Sequence, residues 1–319
     1  MPSERGRGGV VTLLVLAALL IIGAALYILF FSDERDAQST SSSTTTTQPS
    51  FPLSFMDDAG RKVEIKAPPA RIASLTPAMT EILFSLGLGD RVVATDDLSD
   101  FPASAPNTAK IGTPATPDLA TLANASPQVV LSSSDSPFAG VLSRHAALIV
   151  LKADDLQSTY EAIDRIGQIA DRKSIATDLK RQLTARERHL RSEAELDDER
   201  SVYLELPSNT STTDAKWAAG LLAAANAKSI FPGGQVALDA ESGELIDRLR
   251  PEVIIVAVEG ESAASLRRRP GWQRLLSRTE TALFTADDID PALLTSPGPR
   301  GVDGLERLVG IIHPPGEKG

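Results

Sequence analysis

Acidic and hydroxyl side chains gather beside the scarce aromatic residues of this chain. Asp96, Asp97 and Asp100 precede Phe101; Ser133, Ser134 and Asp135 precede Phe138; Asn209, Thr210 and Asp214 precede Trp217. Each group follows a short apolar run that reads as a strand, and loops beyond strand ends carry ligands in open α/β sheets. Thr76 has the same placement, just past the run 71–75. The plainer account of such loops is turn chemistry, because Asp, Ser and Pro stabilise turns locally. We expect a cleft between 96–101 and 133–138 on one side and 209–217 on the other. Its candidate contacts are Thr76, Asp96, Asp97, Phe101, Ser134, Phe138 and Trp217.

Bond-making chemistry has little support. There is no G-x-S-x-G, no recognisable Ser–His–Asp context and no glycine-rich phosphate loop; G-V-D-G-L-E lacks the G-x-G-x-x-G spacing. Scattered carboxylates acting as a general acid and base are the one enzymatic option left, so we expect no catalytic residues. The chain has no Cys, which excludes disulfides, thiolate metal sites and Cys nucleophiles. Its three His, at 145, 189 and 313, are far apart in sequence, so neither a metal site nor a resident cofactor is expected. A net charge of −10 makes nucleic acid an unsuitable partner.

The elements that must position these loops alternate between strands and helices. Residues 53–65 alternate apolar and polar side chains around Asp58-Ala59-Gly60 and read as a hairpin. The stretch 68–93 reads as strand, turn, helix, strand. Thr76 suits the N-cap and Pro77 the first helical position. Met79, Ile82, Leu83 and Leu86 make one apolar helix face, and Glu81 lies off that face near the positive end of the dipole. Strands are expected at 92–95, 110–111, 129–131 and 147–151, with a helix from about Asp118 that stops before Pro127. Residues 156–195 read as two helices broken at 171–173, with Ile175, Leu179, Leu183 and Leu190 on one face of the second. Beyond it come a strand at 201–205, helices at 217–227, 244–250 and 300–312, and strands at 253–256 and 281–285. The helix–Pro–strand unit around Pro251 echoes the one around Pro127, which suggests two lobes of one design. Glu244 falls in the first turn of a helix that Ser242 can cap.

Ahead of these elements, 9–31 is an uncharged apolar run long enough to span a bilayer, preceded by Arg5 and Arg7. It has no small-x-small site at its end, so we expect a retained anchor at 1–31 with the rest of the chain outside the cytoplasm. The Ser/Thr-rich segment within 32–50 has too little apolar surface to order itself and reads as a flexible tether.

The stretches RIASLTPAMTEILFSLGLGDRVVATDDLSDFP, KIGTPATPDLATLANASPQVVL, RPGWQRL and SPGPRGVDGLERL together resemble the extracytoplasmic solute-binding proteins of ABC importers for cobalamin, ferric siderophores and haem, the helical-backbone metal receptor superfamily. The resemblance covers roughly 52–315. It implies an α/β fold of two Rossmann-like lobes joined by a single long helix: lobe one 51–170, linking helix 171–196, lobe two 197–315. It further implies capture of a corrinoid, with a ferric siderophore or haem as alternatives, and delivery to a permease and ATPase. A surface sensor with the same fold is the other possibility. In this family one Glu from each lobe docks on Arg residues of the permease, which implies that role for Glu81 and Glu244. Two departures stand out. Gram-positive members usually carry a lipidated Cys, and this chain has none. Cobalamin-binding members usually carry aromatics where this chain has Asp97-Leu98-Ser99-Asp100-Phe101, and an Asp-rich cleft suits a cationic ligand better than an anionic catecholate.

Overall fold

Side chains of Leu53–Met56 (β1) and Lys62–Ile65 (β2) alternate between more and less buried, and the two strands pair antiparallel with Leu53 opposite Ile65. This hairpin opens the computed structural model, which describes residues 51–314 except Ser211, Leu238, Thr279 and Glu280. The expected anchor and tether, 1–50, lie outside the described residues. Among the described residues no helix is long and apolar enough to cross a membrane.

Asp57 ends the hairpin's first strand and ties it to the first sheet. Its carboxylate accepts from the backbone N–H of Arg61 (2.7 Å) and Val150 (3.0 Å) and from the Arg61 guanidinium (2.9 Å). Burial pushes this carboxyl upward, but those hydrogen bonds outweigh it and hold it below its ordinary 3.8.

The first sheet is made of Ile72–Ser74 (β3), Val92–Thr95 (β4), Ala109–Lys110 (β5), Val129–Ser132 (β6) and Ala147–Val150 (β7), all parallel, in the order β5-β4-β3-β6-β7. The second is made of Arg200–Glu205 (β8), Ala227–Ser229 (β9), Val253–Val256 (β10) and Ala282–Thr285 (β11), also parallel, in the order β9-β8-β10-β11. Numbered along the chain, β4-β3-β6-β7 and β9-β8-β10-β11 have the same second-first-third-fourth order. The faint sequence echo is therefore a repeated topology. β6 and β10 are buried throughout, as strands covered on both faces must be.

Around the first sheet lie Pro77–Ser85 (α1), Leu119–Ala125 (α2), Ala139–His145 (α3) and Leu156–Ile169 (α4). The linking helix is Lys173–Ala194 (α5), whose 22 residues span roughly 33 Å. Around the second sheet lie Thr212–Ala224 (α6), Gly243–Leu249 (α7), Ala263–Leu266 (α8), Trp272–Leu275 (α9), Pro291–Thr295 (α10) and Gly301–Ile312 (α11).

The break before α5 falls where expected, at Asp171 with φ +58°. The buried stripe of α5 needs correcting. Ile175 is 43% exposed; its neighbour Ala176 is buried instead, heading the row Ala176, Leu179, Leu183, Leu190 and Ala194. Ala176 packs against Gly167 of α4, at which a Cβ would stand 2.3 Å from the Ala176 methyl. A second correction concerns α6, which starts at Thr212 inside the expected polar loop and stops before Asn226. Asn226 takes a left-handed φ of +49°, and its amide donates to the carbonyls of Ala194 and Asp197. α3, β9 and the short helices α8 to α10 were not expected. The short helices are set by local caps, such as Ser262 on Ser265 and Asp290 on Ala292.

One apolar cluster runs without interruption from Ile72 and Val129 of the first sheet, through Ile163 of α4 and Leu183 of α5, to Val202 and Ile255 of the second sheet and Leu305 of α11. The lobes therefore share a core. α5 is also pinned to α11 by Arg186, which pairs with Asp303 (2.8 Å) and Glu306 (2.5 Å).

Candidate functional site

The segments that follow the strands of both sheets meet around a cleft of about 790 Å³. Lobe one contributes Thr76 after β3, Asp96, Leu98 and Asp100 after β4, Ser133 and Ser134 after β6, and Asp154 after β7. Lobe two contributes Asn209, Thr210 and Asp214 after β8, Glu259 after β10, and Ala292 with Thr295–Pro297 after β11. A cleft lined this way is a direct result of parallel strands, whose carboxyl ends all lie on one side.

On lobe one the floor is a buried polar chain. Asp96 is 1% exposed. One of its oxygens accepts from the Ser99 hydroxyl, the other from the Leu98 N–H at 3.0 Å. The Ser99 hydroxyl also faces that of Thr80 (2.7 Å), Thr80 donates to Ser74 (2.9 Å), and Ser74 donates to the Thr76 carbonyl (3.0 Å). The Lys110 ammonium closes the loop from below, donating to the carbonyls of Asp96 (2.9 Å) and Ser99 (2.8 Å) and to the Thr95 hydroxyl (3.1 Å). Burial pushes the Asp96 carboxyl above its ordinary value despite Ser99, Leu98 and Lys110. Thr76 stands at the N-cap of α1, but its hydroxyl makes no capping bond; it accepts from the Ser133 N–H at 3.1 Å and so links two cleft loops.

On lobe two Glu205, at the end of β8, is held by both terminal nitrogens of Arg269 (2.9 and 3.0 Å) and by the Tyr203 hydroxyl (2.6 Å). Arg269 also pairs with Glu261 and lies over the Trp272 ring. Trp272 is fully buried.

An ion pair between Glu81 and Arg300 joins the lobes beside the cleft. Arg300 Nε and Nη2 donate to Glu81 Oε1 at 2.9 and 2.6 Å. Glu81 is 2% exposed and its Oε2 has no hydrogen-bond partner. The Phe101 ring covers the guanidinium, 3.8 Å from centroid to carbon. Gly298 fits against the carboxylate, where a Cβ would stand 3.0 Å from Oε2. Burial pushes the Glu81 carboxyl up; Arg300 opposes this and Asp100 adds to it.

Of the expected contacts, Thr76, Asp96 and Ser134 line the cleft. Asp97 is turned to the neighbouring loop, accepting from the Gly112 N–H at 3.1 Å. Phe101 and Phe138, 41% and 39% exposed, stand on cleft loops without lining the cavity itself. Trp217 is a correction. It is 1% exposed, with its indole over Gly301, where a Cβ would stand 2.1 Å from the ring. It faces the shared core, not the ligand space. Glu81 is the other correction, since a docking carboxylate must reach solvent. Glu244 does, at the start of a helix that Ser242 caps through the Leu245 N–H (3.3 Å). Its topological counterpart in lobe one is α2, capped by Asp118, where the position two residues past the cap is Ala120. The sequence reading missed Asp154, Glu259 and 291–297. The first two obey the same strand-end rule that found Asp96; the last carries no pattern. Among the described residues no group of three or more His, Cys, Asp or Glu is placed to hold a metal ion.

Residues 72–288 match a family model described as periplasmic binding protein. The chain is 28% identical to an ABC transporter substrate-binding lipoprotein of Bacillus subtilis, over 83% of this chain and 86% of that one. It is 24% identical to the vitamin B12-binding protein of Vibrio cholerae, over 76% and 88%. Among solved structures it shares its fold with the periplasmic vitamin B12-binding protein of Vibrio cholerae (TM-score 0.62, 18% identity, 77% of this chain and 97% of that one) and with a periplasmic haem-binding protein of Pseudomonas aeruginosa (TM-score 0.62, 19% identity, 77% and 94%). The relatives are substrate-binding proteins, not enzymes.

Glu81→Ala strands the Arg300 charge in a largely buried place, and breaking such a pair costs about 3–5 kcal/mol. Glu81→Gln, which keeps the shape, should cost less. Because burial raises the folded-state pKa of Glu81, the folded protein holds its proton more tightly than the unfolded chain does. The wild type should therefore lose stability relative to Glu81→Gln as pH rises from its ordinary 4.5 through the folded value. Denaturant titrations across that range check both points. A cost below about 1 kcal/mol for Glu81→Ala would contradict the role given to the pair.

Proposed function

This chain belongs to the periplasmic binding protein family, and from that premise we propose that it is the membrane-anchored extracytoplasmic binding protein of an ABC importer, capturing a corrinoid and handing it to a permease. The observation that carries this is the cleft itself: a cavity of about 790 Å³ between two lobes, lined by the strand-end loops of both. The Vibrio cholerae relative, matched over most of both chains, is named for vitamin B12. The cleft lining also bears on the alternatives. Among the described residues it includes no His, Tyr or Met to ligate haem iron, and its carboxylates repel an anionic ferric catecholate.

Calorimetric titration of the full chain in mild detergent with cobalamin tests the ligand. Tryptophan fluorescence is a poor readout, because both Trp are buried and neither lines the cleft. Binding should be saturable, and Ser134→Trp, which places an indole in the cleft, should weaken it about tenfold or more, on the order of the 1.4 kcal/mol that tenfold represents. No binding, or full affinity in Ser134→Trp, would reject the reading. For docking, Glu244 is the exposed candidate. Glu244→Arg should lower uptake in cells while leaving affinity intact, because it sets a like charge against a permease Arg; normal uptake would remove it.

The anchor rests on the uncharged run 9–31 behind Arg5 and Arg7. Protease added to wall-stripped cells should release a soluble fragment beginning in the Ser/Thr tether. A protected protein, or a mature N-terminus near residue 35, would contradict it.

A further inference from the structure

Among the described residues the cleft lining includes five acidic side chains, Asp96, Asp100 and Asp154 on lobe one and Asp214 and Glu259 on lobe two, and no Lys, Arg or His. Asp100, Asp154 and Glu259 are exposed. Lys110 and Arg300, two cations beside the lining residues, are turned elsewhere. The Lys110 ammonium is directed into the carbonyls of Asp96 and Ser99, and the Arg300 guanidinium is neutralised by Glu81 and covered by the Phe101 ring. Two walls of one sign thus face each other across a cavity with protein on both sides, where field lines are focused and a counter-charge is concentrated.

An independent feature marks the same place for a ligand. Leu98, Phe101 and Phe138 are 67%, 41% and 39% exposed, and all three stand on lobe-one loops that also supply lining residues. Large apolar side chains held open at a cleft's margin fit an apolar edge on what binds there.

We infer that the cleft selects a metal chelate of net positive charge with an apolar edge and rejects anionic chelates. The inference rests on the reading of this chain as a chelate-binding protein, but not on the ring system of the chelate. Where the ligand is a corrinoid, it favours forms whose axial ligand leaves the complex cationic. Where it is a ferric siderophore, it favours a hydroxamate bearing a free ammonium over a catecholate. The carboxylates act here through their field on the ligand as a whole and need not touch the metal.

The test compares chelates that differ in charge, by calorimetry on the full chain at low salt and slightly acid pH. Aquacobalamin, with one positive charge, and cyanocobalamin, neutral, share one corrin ring. Ferrioxamine B, a cationic ferric hydroxamate, and ferric enterobactin, an anionic catecholate, form the second pair. Aquacobalamin should bind about tenfold more tightly than cyanocobalamin, a gap expected from several carboxylates acting at about 10 Å. The gap should shrink with added salt, and in the double variant Asp154→Asn, Glu259→Gln. If both corrinoids bind equally at all salt concentrations, charge selection is overturned and the corrinoid reading stands. If neither corrinoid binds but ferrioxamine B does and enterobactin does not, the corrinoid reading fails and charge selection stands. Binding of enterobactin at least as tight as that of ferrioxamine B, or of neither cation, overturns the inference.

Discussion

A buried carboxylate on one lobe and a guanidinium from the other hold the cleft at its margin. Glu81 comes from the first helix of lobe one and Arg300 from the start of the last helix, 219 residues further on. Such a pair gains little net stability, because desolvating both charges offsets most of their attraction. What it supplies is register. One arrangement of the lobes satisfies both groups, and any other leaves a charge buried alone. Phe101 over the guanidinium and Gly298 against the carboxylate admit no larger rearrangement without loss of those contacts. The Phe101 loop is also a cleft loop, so the ion pair and the site are fixed together.

The ion pair acts on a frame that is already stiff. α5 is one unbroken helix, and the apolar core passes from the first sheet through α4 and α5 into the second. Two parallel sheets of repeated order then direct their strand-end loops toward a shared space. The polar groups of that space fall into two kinds. Asp96, Ser99, Thr80 and Ser74 are buried and bonded to one another, so they shape the floor. Asp100, Asp154 and Glu259 are exposed on the cleft lining, and the inferred charge selection rests on them.

Much of this was legible in the sequence. Short apolar runs ending in Asp, Ser or Thr identified the strands and, through the strand-end rule, Thr76, Asp96 and Ser134. Glu81 was misread because its partner is remote in sequence: position near a helix N-terminus suggested solvent, and nothing local shows that Arg300 arrives there. Trp217 was misread because α6 is rich in Ala and Leu all round, so no polar face marks which side turns inward. The α5 stripe slipped by one residue because Ile175 looks more apolar than Ala176, yet only a methyl fits against Gly167. The segment 291–297 has a helix of five residues, too short for periodicity to show.

The central claim is that the lobes are held in one relation by the shared core and the Glu81–Arg300 pair, so that ligand enters a preformed cleft. The chain has no Cys, so spin labels can be placed cleanly at Arg144→Cys on α3 and Arg248→Cys on α7, both exposed. Pulsed electron resonance then reads the distance between the lobes. The account predicts one narrow distribution, unchanged by saturating ligand, and a broader one when Arg300→Ala is added. A shift of several Å on binding, or a narrow wild-type distribution retained in Arg300→Ala, would contradict it.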